Sequence, residues 1–371
     1  MSQADDLQAC VALMRTGSRS FFAASRLLPQ RVRPASIALY AFCRVADDIV
    51  DEAGLAPAES RALLAGRLDA IYAGRPGPAV EDRALAAVVQ QHDLPRPWLD
   101  ALLDGFAWDA TGRTYETLEE VHDYGARVAG SVGAMMCWLM GVRSPQALAR
   151  ACEMGVAMQL TNIARDVGDD ARNGRLYLPR QWLRQAGIEP EAWLAAPAGS
   201  PALQSVVLRL LDEADRLYRQ ATLGVALLPR DCRAAILAAR LIYADIGRQM
   251  RRQAIDPMQQ RSVVPTARKL VLAGQASLQA WQGTRQVDRT RLQADPLAAV
   301  AYLVDHVSTI DDLPSAMARP LRTRVVWMIE MFERVELQRL EQRMAQRRAQ
   351  QGVASANSAV PVPVGSERLT A

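Results

Sequence analysis

In the stretch Tyr40-Ala-Phe-Cys-Arg44-Val-Ala-Asp47-Asp48-Ile-Val-Asp51-Glu52, an apolar, alanine-rich run gives way to three aspartates within five positions. As a helix, this stretch places residues three and four apart on one face. Tyr40, Arg44, Asp47, Asp48 and Asp51 then form a polar stripe, with Ala41, Val45 and Ile49 lying off it. Aspartates on one face repel each other unless a cation sits between them. Hard divalent cations such as Mg²⁺ accept carboxylate oxygens and commonly hold substrate phosphates as well. Taken alone, the stripe reads equally as a solvated acidic helix face.

The 371 residues are half hydrophobic and 23% charged, which describes a globular chain with ample core. A formal charge of +4, from 44 basic and 40 acidic residues, is too balanced for a nucleic-acid binder, and no clustering of arginines with exposed aromatics is evident. Five cysteines without a CxxC pair point to a reducing compartment and no zinc site, and three dispersed histidines make no metal cluster. Asp5 and Asp6 stand where a signal peptide carries positive charge, so the expected location is cytoplasmic. The uncharged run from Val128 to Val142 has 15 residues, short of the roughly 20 that span a bilayer. It reads as a helix buried on all sides.

The chain reads as all-α. Ala, Leu, Arg, Gln and Glu dominate, apolar residues recur at three- and four-residue spacing, and alternating β-branched runs are nearly absent. Breaks are expected at Leu28-Pro29, Gly74 to Pro78, Leu94 to Pro97, Asn173-Gly174, Ala196 to Pro201, Leu228-Pro229 and Asp256-Pro257. No linker divides the chain, so one helical domain is expected over residues 1–349. Within it, Thr323 to about Arg348 reads as a long amphipathic helix, and residues 350–371 read as a disordered tail.

A second stretch, Gln159-Leu-Thr-Asn162-Ile-Ala-Arg165-Asp166-Val-Gly-Asp169-Asp170, repeats the logic of the first. Gln159, Asn162, Asp166 and Asp170 step by three and four along one helix face, with Arg165 one position round. Two carboxylate rows in an all-helical chain describe a cleft in which Mg²⁺ bridges a diphosphate. Ionisation of an allylic diphosphate needs that arrangement, because negative charge builds on the leaving group as the C–O bond breaks. The resulting carbocation needs a dry apolar cavity. The small-residue run Val128-Ala-Gly-Ser-Val-Gly133 fits as a wall of such a tunnel, and equally as a site of close helix–helix packing.

With these motifs in place, the chain resembles the squalene/phytoene synthases, over Gly17 to about Leu270. The matching segments include Ser18-Arg-Ser20-Phe21-Phe22, Ser25 to Pro29, both acidic stretches, Asp104-Gly-Phe-Ala-Trp-Asp109 and Tyr124 to Gly133. Asn173 to Pro179, Leu227 to Arg230 and Tyr243-Ala-Asp-Ile-Gly247 match as well. The resemblance implies a single-domain isoprenoid-synthase helical fold around a central cavity. It also implies head-to-head condensation of two geranylgeranyl diphosphates through a cyclopropylcarbinyl (prephytoene) diphosphate to phytoene. Asp47, Asp48, Asp51, Asn162, Asp166 and Asp170 would hold Mg²⁺, with Mn²⁺ as a substitute. Ser18, Ser20, Tyr40, Arg44, Gln159, Asn162, Arg165, Arg261 and Lys269 would bind substrate, and Tyr243 would help to steer the cation. Lys269 is the chain's only lysine. Either released diphosphate or Tyr243 could accept the final proton.

Squalene or dehydrosqualene synthesis from farnesyl diphosphate is the nearest alternative; a non-catalytic assembly protein of the same fold is a remote one. No NADPH is expected. Gly168 departs from the family's usual larger apolar residue, and the tail after Gln350 has no counterpart. Greasy substrates and products imply peripheral association with the inner membrane face.

Overall fold

Helix-forming segments with three- and four-residue apolar spacing fold as helices, and they stop where glycine and proline cluster. In a computed structural model, α1 is Gln3–Gly17, α2 Arg33–Glu52, α3 Pro57–Tyr72, α4 Val80–His92 and α5 Arg96–Ala110. Then come α6 Leu118–Gly125, a π turn Ala126–Gly130, α7 Ser131–Leu139 and α8 Pro145–Arg172. The short α9 (Arg180–Gln185) and α10 (Pro190–Ala195) lead to α11 Pro201–Gly224, α12 Arg230–Arg252, α13 Thr266–Gln282 and α14 Ala301–Asp305. The structure describes residues 3–17, 25–52, 55–253, 256, 258–282 and 295–306, with Asp51 and Glu52 described in backbone only. Among the described residues there is no strand. The chain divides into two compact units, 1–320 and 321–371, and every described residue belongs to the first. The helix expected over 323–348 and the tail expected over 350–371 therefore lie outside the described residues.

The longest helix is α8, whose 28 residues at about 1.5 Å each reach about 42 Å. Pro145 starts it in the first turn, where a missing N–H costs nothing. Gly174, at φ +70°, takes the left-handed conformation that ends it. Helices α11, α12 and α7 and the π turn pack around α8. The run Val128–Val142 is only partly the fully buried helix that the sequence leads one to expect. It is part π turn and part α7, and Val128, Ala129, Val132, Gly133 and Met136 face a cavity instead of neighbouring side chains. Gly133 serves both purposes the sequence left open. It lines the cavity, and a Cβ there would lie 2.2 Å from the Ala151 carbonyl oxygen, so α7 and α8 can approach only because it is glycine.

Candidate functional site

A cavity of about 370 Å³ lies among α2, α7, α8, α11 and α12, within the usual range for small-molecule sites. From α2 it takes Ser36, Leu39, Tyr40 and Cys43, one helical face. From α8 it takes Ala147, Arg150, Ala151, Met154, Gly155, Met158, Gln159 and Asn162, and from α12 Ala235, Ile236, Ala239 and Tyr243. Over the whole lining, most side chains are aliphatic or thioether. Each of α2 and α8 runs along the cavity first and reaches its aspartates only in its last turns.

Tyr243, within α12, is surrounded by polar groups from α2, α8 and the segment before α13. Burial pushes its hydroxyl up to about 12, and Arg165, Tyr40, Asp166 and Arg261 all act on it electrostatically. At neutral pH only about one molecule in 10⁵ carries a phenolate at that value, so Tyr243 stands there as a hydroxyl.

On α8, Asp166 sits in a double guanidinium fork. Arg165 Nε donates to Asp166 Oδ1 at 2.8 Å; Arg261 Nε donates to the same oxygen at 2.8 Å and its Nη2 to Oδ2 at 3.1 Å. Burial works against charge on Arg165, yet Asp166 raises its pKa above the ordinary value. One turn on, burial and the neighbouring Asp166 push Asp170 up to about 7; Asp109 and Asp169 add to the effect, and Arg175 opposes it. Asn162 Nδ2 donates to Gln159 Oε1 at 3.4 Å, while Asn162 Oδ1 is buried with no hydrogen-bond partner.

On α2, Arg44 Nη2 meets Asp48 Oδ1 at 2.5 Å, and Arg44 Nη1 meets Asp47 Oδ2 at 3.5 Å. A guanidinium thus separates carboxylates that would otherwise repel one another. The side chain of Asp51, and all of Ser18 and Ser20, lie outside the described residues. Lys269 is half-buried near the start of α13 and does not line the cavity.

These residues fit a divalent cation. Both acidic rows occupy the C-terminal turns of their helices, where the helix dipole disfavours anions, and a bound cation reverses that penalty. An orphaned carbonyl oxygen on Asn162, and a carboxyl at Asp170 that burial and Asp166 hold near neutrality despite Arg175, are groups that a cation would stabilise. Among the described residues, no three Asp, Glu, His or Cys side chains converge on a metal-sized point. The carboxylates are turned instead toward Arg44, Arg165 and Arg261.

Sequence reasoning assigned no role to Asp109, although its segment belongs to the matching motifs. It accepts hydrogen bonds from Tyr124 Oη at 2.9 Å and Tyr177 Oη at 2.7 Å, and it contributes to the upward shift of Asp170. Its only signal was the spacing of those tyrosines, and nothing local links them.

An all-helical chain wrapped around an apolar cavity, with aspartate rows at the helix ends, has the form of an isoprenoid synthase. The squalene/phytoene synthase family model matches residues 14–269. The chain is 53% identical over 303 residues to a phytoene synthase of Rhodobacter capsulatus, covering 81% of this chain and 89% of that one. It is 45% identical to a 15-cis-phytoene synthase of a Paracoccus species, covering 70% and 86%. Among solved structures, a dehydrosqualene synthase superposes with a TM-score of 0.68 at 29% identity, covering 74% of this chain and 96% of that one. A squalene synthase from Alicyclobacillus acidocaldarius gives 0.64 at 25%, covering 69% and 96%. The chain belongs to the squalene/phytoene synthase family.

Proposed function

We propose that the chain is a 15-cis-phytoene synthase, joining two geranylgeranyl diphosphates head to head with release of diphosphate. The observation that carries this reading is the length of the cavity. Its α8 wall runs from Asn162 to Ala147, which is 15 residues at about 1.5 Å, or about 22 Å. A geranylgeranyl chain has about sixteen main-chain carbons with bonds of about 1.5 Å, and its zigzag extends about 20 Å. A farnesyl chain of about twelve reaches about 15 Å and would leave about a third of the wall bare.

In this reading Asp47, Asp48, Asp51, Asn162, Asp166 and Asp170 hold Mg²⁺ or Mn²⁺. When bound, the metal neutralises charge developing on the departing diphosphate. Arg44, Arg165 and Arg261 supply planar guanidiniums to diphosphate oxygens, with Ser18, Ser20, Tyr40, Gln159 and Lys269 adding donors. To do so, Arg165 and Arg261 release Asp166, which frees that carboxylate for the metal. The aliphatic lining excludes water from the carbocation. Tyr243 presents its ring to the cavity, and its hydroxyl pKa near 12 makes it a poor resting base. The final proton therefore goes to released diphosphate.

Residues 1–349 form the catalytic part in this proposal, with 350–371 as an appended tail. Among the described residues no helix is long and apolar enough to cross a membrane. Because substrate and product are hydrocarbon-rich, the chain works as a peripheral protein at a cytosolic membrane face.

The test supplies farnesyl or geranylgeranyl diphosphate with Mg²⁺, with and without NADPH, and identifies the hydrocarbon. The expected product has forty carbons and forms without NADPH. Thirty-carbon products alone, or strict dependence on NADPH, would overturn the assignment.

A further inference from the structure

Helix α13 buries Leu272, Ala273 and Ala276 on one side, and it packs against α12. Its other side is apolar too. Ala267, Val271, Gly274, Leu278 and Trp281 step by four, three, four and three, so they share one exposed face. Val271 and Leu278 are each 52% exposed, and Trp281 is 72% exposed. Val263, just before the helix, is 64% exposed. An apolar stripe this open is unusual on a globular surface and marks a contact site.

We propose that this face of α13 is where the chain docks on an anionic lipid bilayer. The inference rests on the reading that the chain works at a membrane, and it assigns the surface that does so. Charge selects lipid over other occupants. Residues 257–287 contain no Asp or Glu, in a chain with 40 of them, while Lys269 flanks the stripe and Arg268, paired with Asp245 of α12 at 2.9 Å, keeps a partly exposed guanidinium. At the exposed end of α12, Arg252 adds to this charge. The helix itself therefore offers phosphate headgroups no carboxylate, and nearby cations attract them. An exposed tryptophan on an apolar face suits the boundary between headgroups and acyl chains, where an amphipathic ring is wetted at one end only. Position fits as well. Val263 lies two residues beyond Arg261, which grips Asp166 at the polar end of the cavity. A bilayer against α13 would lie beside the segment that borders the diphosphate end.

The test compares the full chain with its Val271→Glu/Leu278→Glu/Trp281→Glu variant by co-sedimentation. The vesicles are phosphatidylcholine alone, or phosphatidylcholine with about a third phosphatidylglycerol. The expected result is binding of the unaltered chain to the mixed vesicles, weakened by salt, and binding at least about tenfold weaker for the variant. Its melting temperature and its turnover of detergent-dispersed substrate should be unchanged, because all three side chains are exposed. Equal binding by both proteins would overturn this surface while leaving membrane association standing. No binding by the unaltered chain would overturn membrane association itself, and this surface with it. If the variant instead loses a dimer seen by light scattering, or melts lower, then a second copy or another segment of this chain covers the stripe, and the lipid proposal fails.

Discussion

The two acidic rows share one grammar and differ in their surroundings. On α2, Asp47 and Asp48 are 42% and 37% exposed, and the half-exposed Arg44 serves both. On α8, Asp166 is 17% exposed and is gripped by two guanidiniums, and Asp170 is buried enough to be raised to about 7. Water screens the first row, so its charges are weakly coupled to stability. The second row is coupled strongly to its partners, to folding and to pH. The same spacing of aspartates thus yields a pliable wall and a rigid one, and burial makes the difference.

The largest expected effect breaks the rigid wall. Asp166→Ala leaves Arg165 and Arg261 without their shared partner and removes a proposed metal ligand. Turnover of geranylgeranyl diphosphate should fall at least about 10³-fold. Chemical denaturation should show a loss of about 3 kcal/mol, as for other broken partly buried pairs. Turnover at the level of the unaltered chain would dismiss the metal reading of this row.

Next comes the pH response of Asp170. Its carboxyl holds a proton up to about 7 when folded, against the ordinary value of 3.8 when unfolded. Below 3.8 both states are protonated and the group contributes nothing. Between about 4 and 7 the folded state binds more protons, so stability falls as pH rises, by at most about 4 kcal/mol, and then levels off. Metal-free denaturation curves across that window should show the decline, and Asp170→Asn should flatten it. Because metal binding requires the ionised carboxylate, Mg²⁺ should stabilise the chain more at about pH 8 than at about pH 5. A pH-independent Mg²⁺ effect would mean that Asp170 is not a ligand.

The smallest effect sharpens the contrast. Asp48→Asn should change stability by less than about 1 kcal/mol, because its pair with Arg44 is exposed. Its turnover should nevertheless fall about 10²-fold, through loss of a proposed metal ligand. If Asp48→Asn costs as much stability as Asp166→Ala, the two walls are not different in kind.

Much of this was written locally. Periodicity placed the helices, Gly74 to Pro78 and Asn173-Gly174 stopped them where expected, and both aspartate rows could be read from three- and four-residue spacing. What the sequence withheld was long-range. The pairing of Arg261 with Asp166 joins residues 95 positions apart, and a resemblance hinted only that Arg261 lies near phosphates. Asp109 meets Tyr124 and Tyr177 through folding alone. The run Val128–Val142 left buried helix and tunnel wall both open for a simple reason. An apolar side chain facing an empty tunnel has the same composition as one facing a packed core.

The π turn at Ala126–Gly130 sets the phase of everything after it. A π turn holds one more residue than the α-helical turn it replaces, so it rotates α7 relative to α6 by about 100°. Deleting a single residue there would leave the helix continuous and turn Gly133 away from Ala151, setting a side chain with a Cβ against the α8 backbone. The tunnel wall and the helix seam are both consequences of one surplus residue, and they would be lost together.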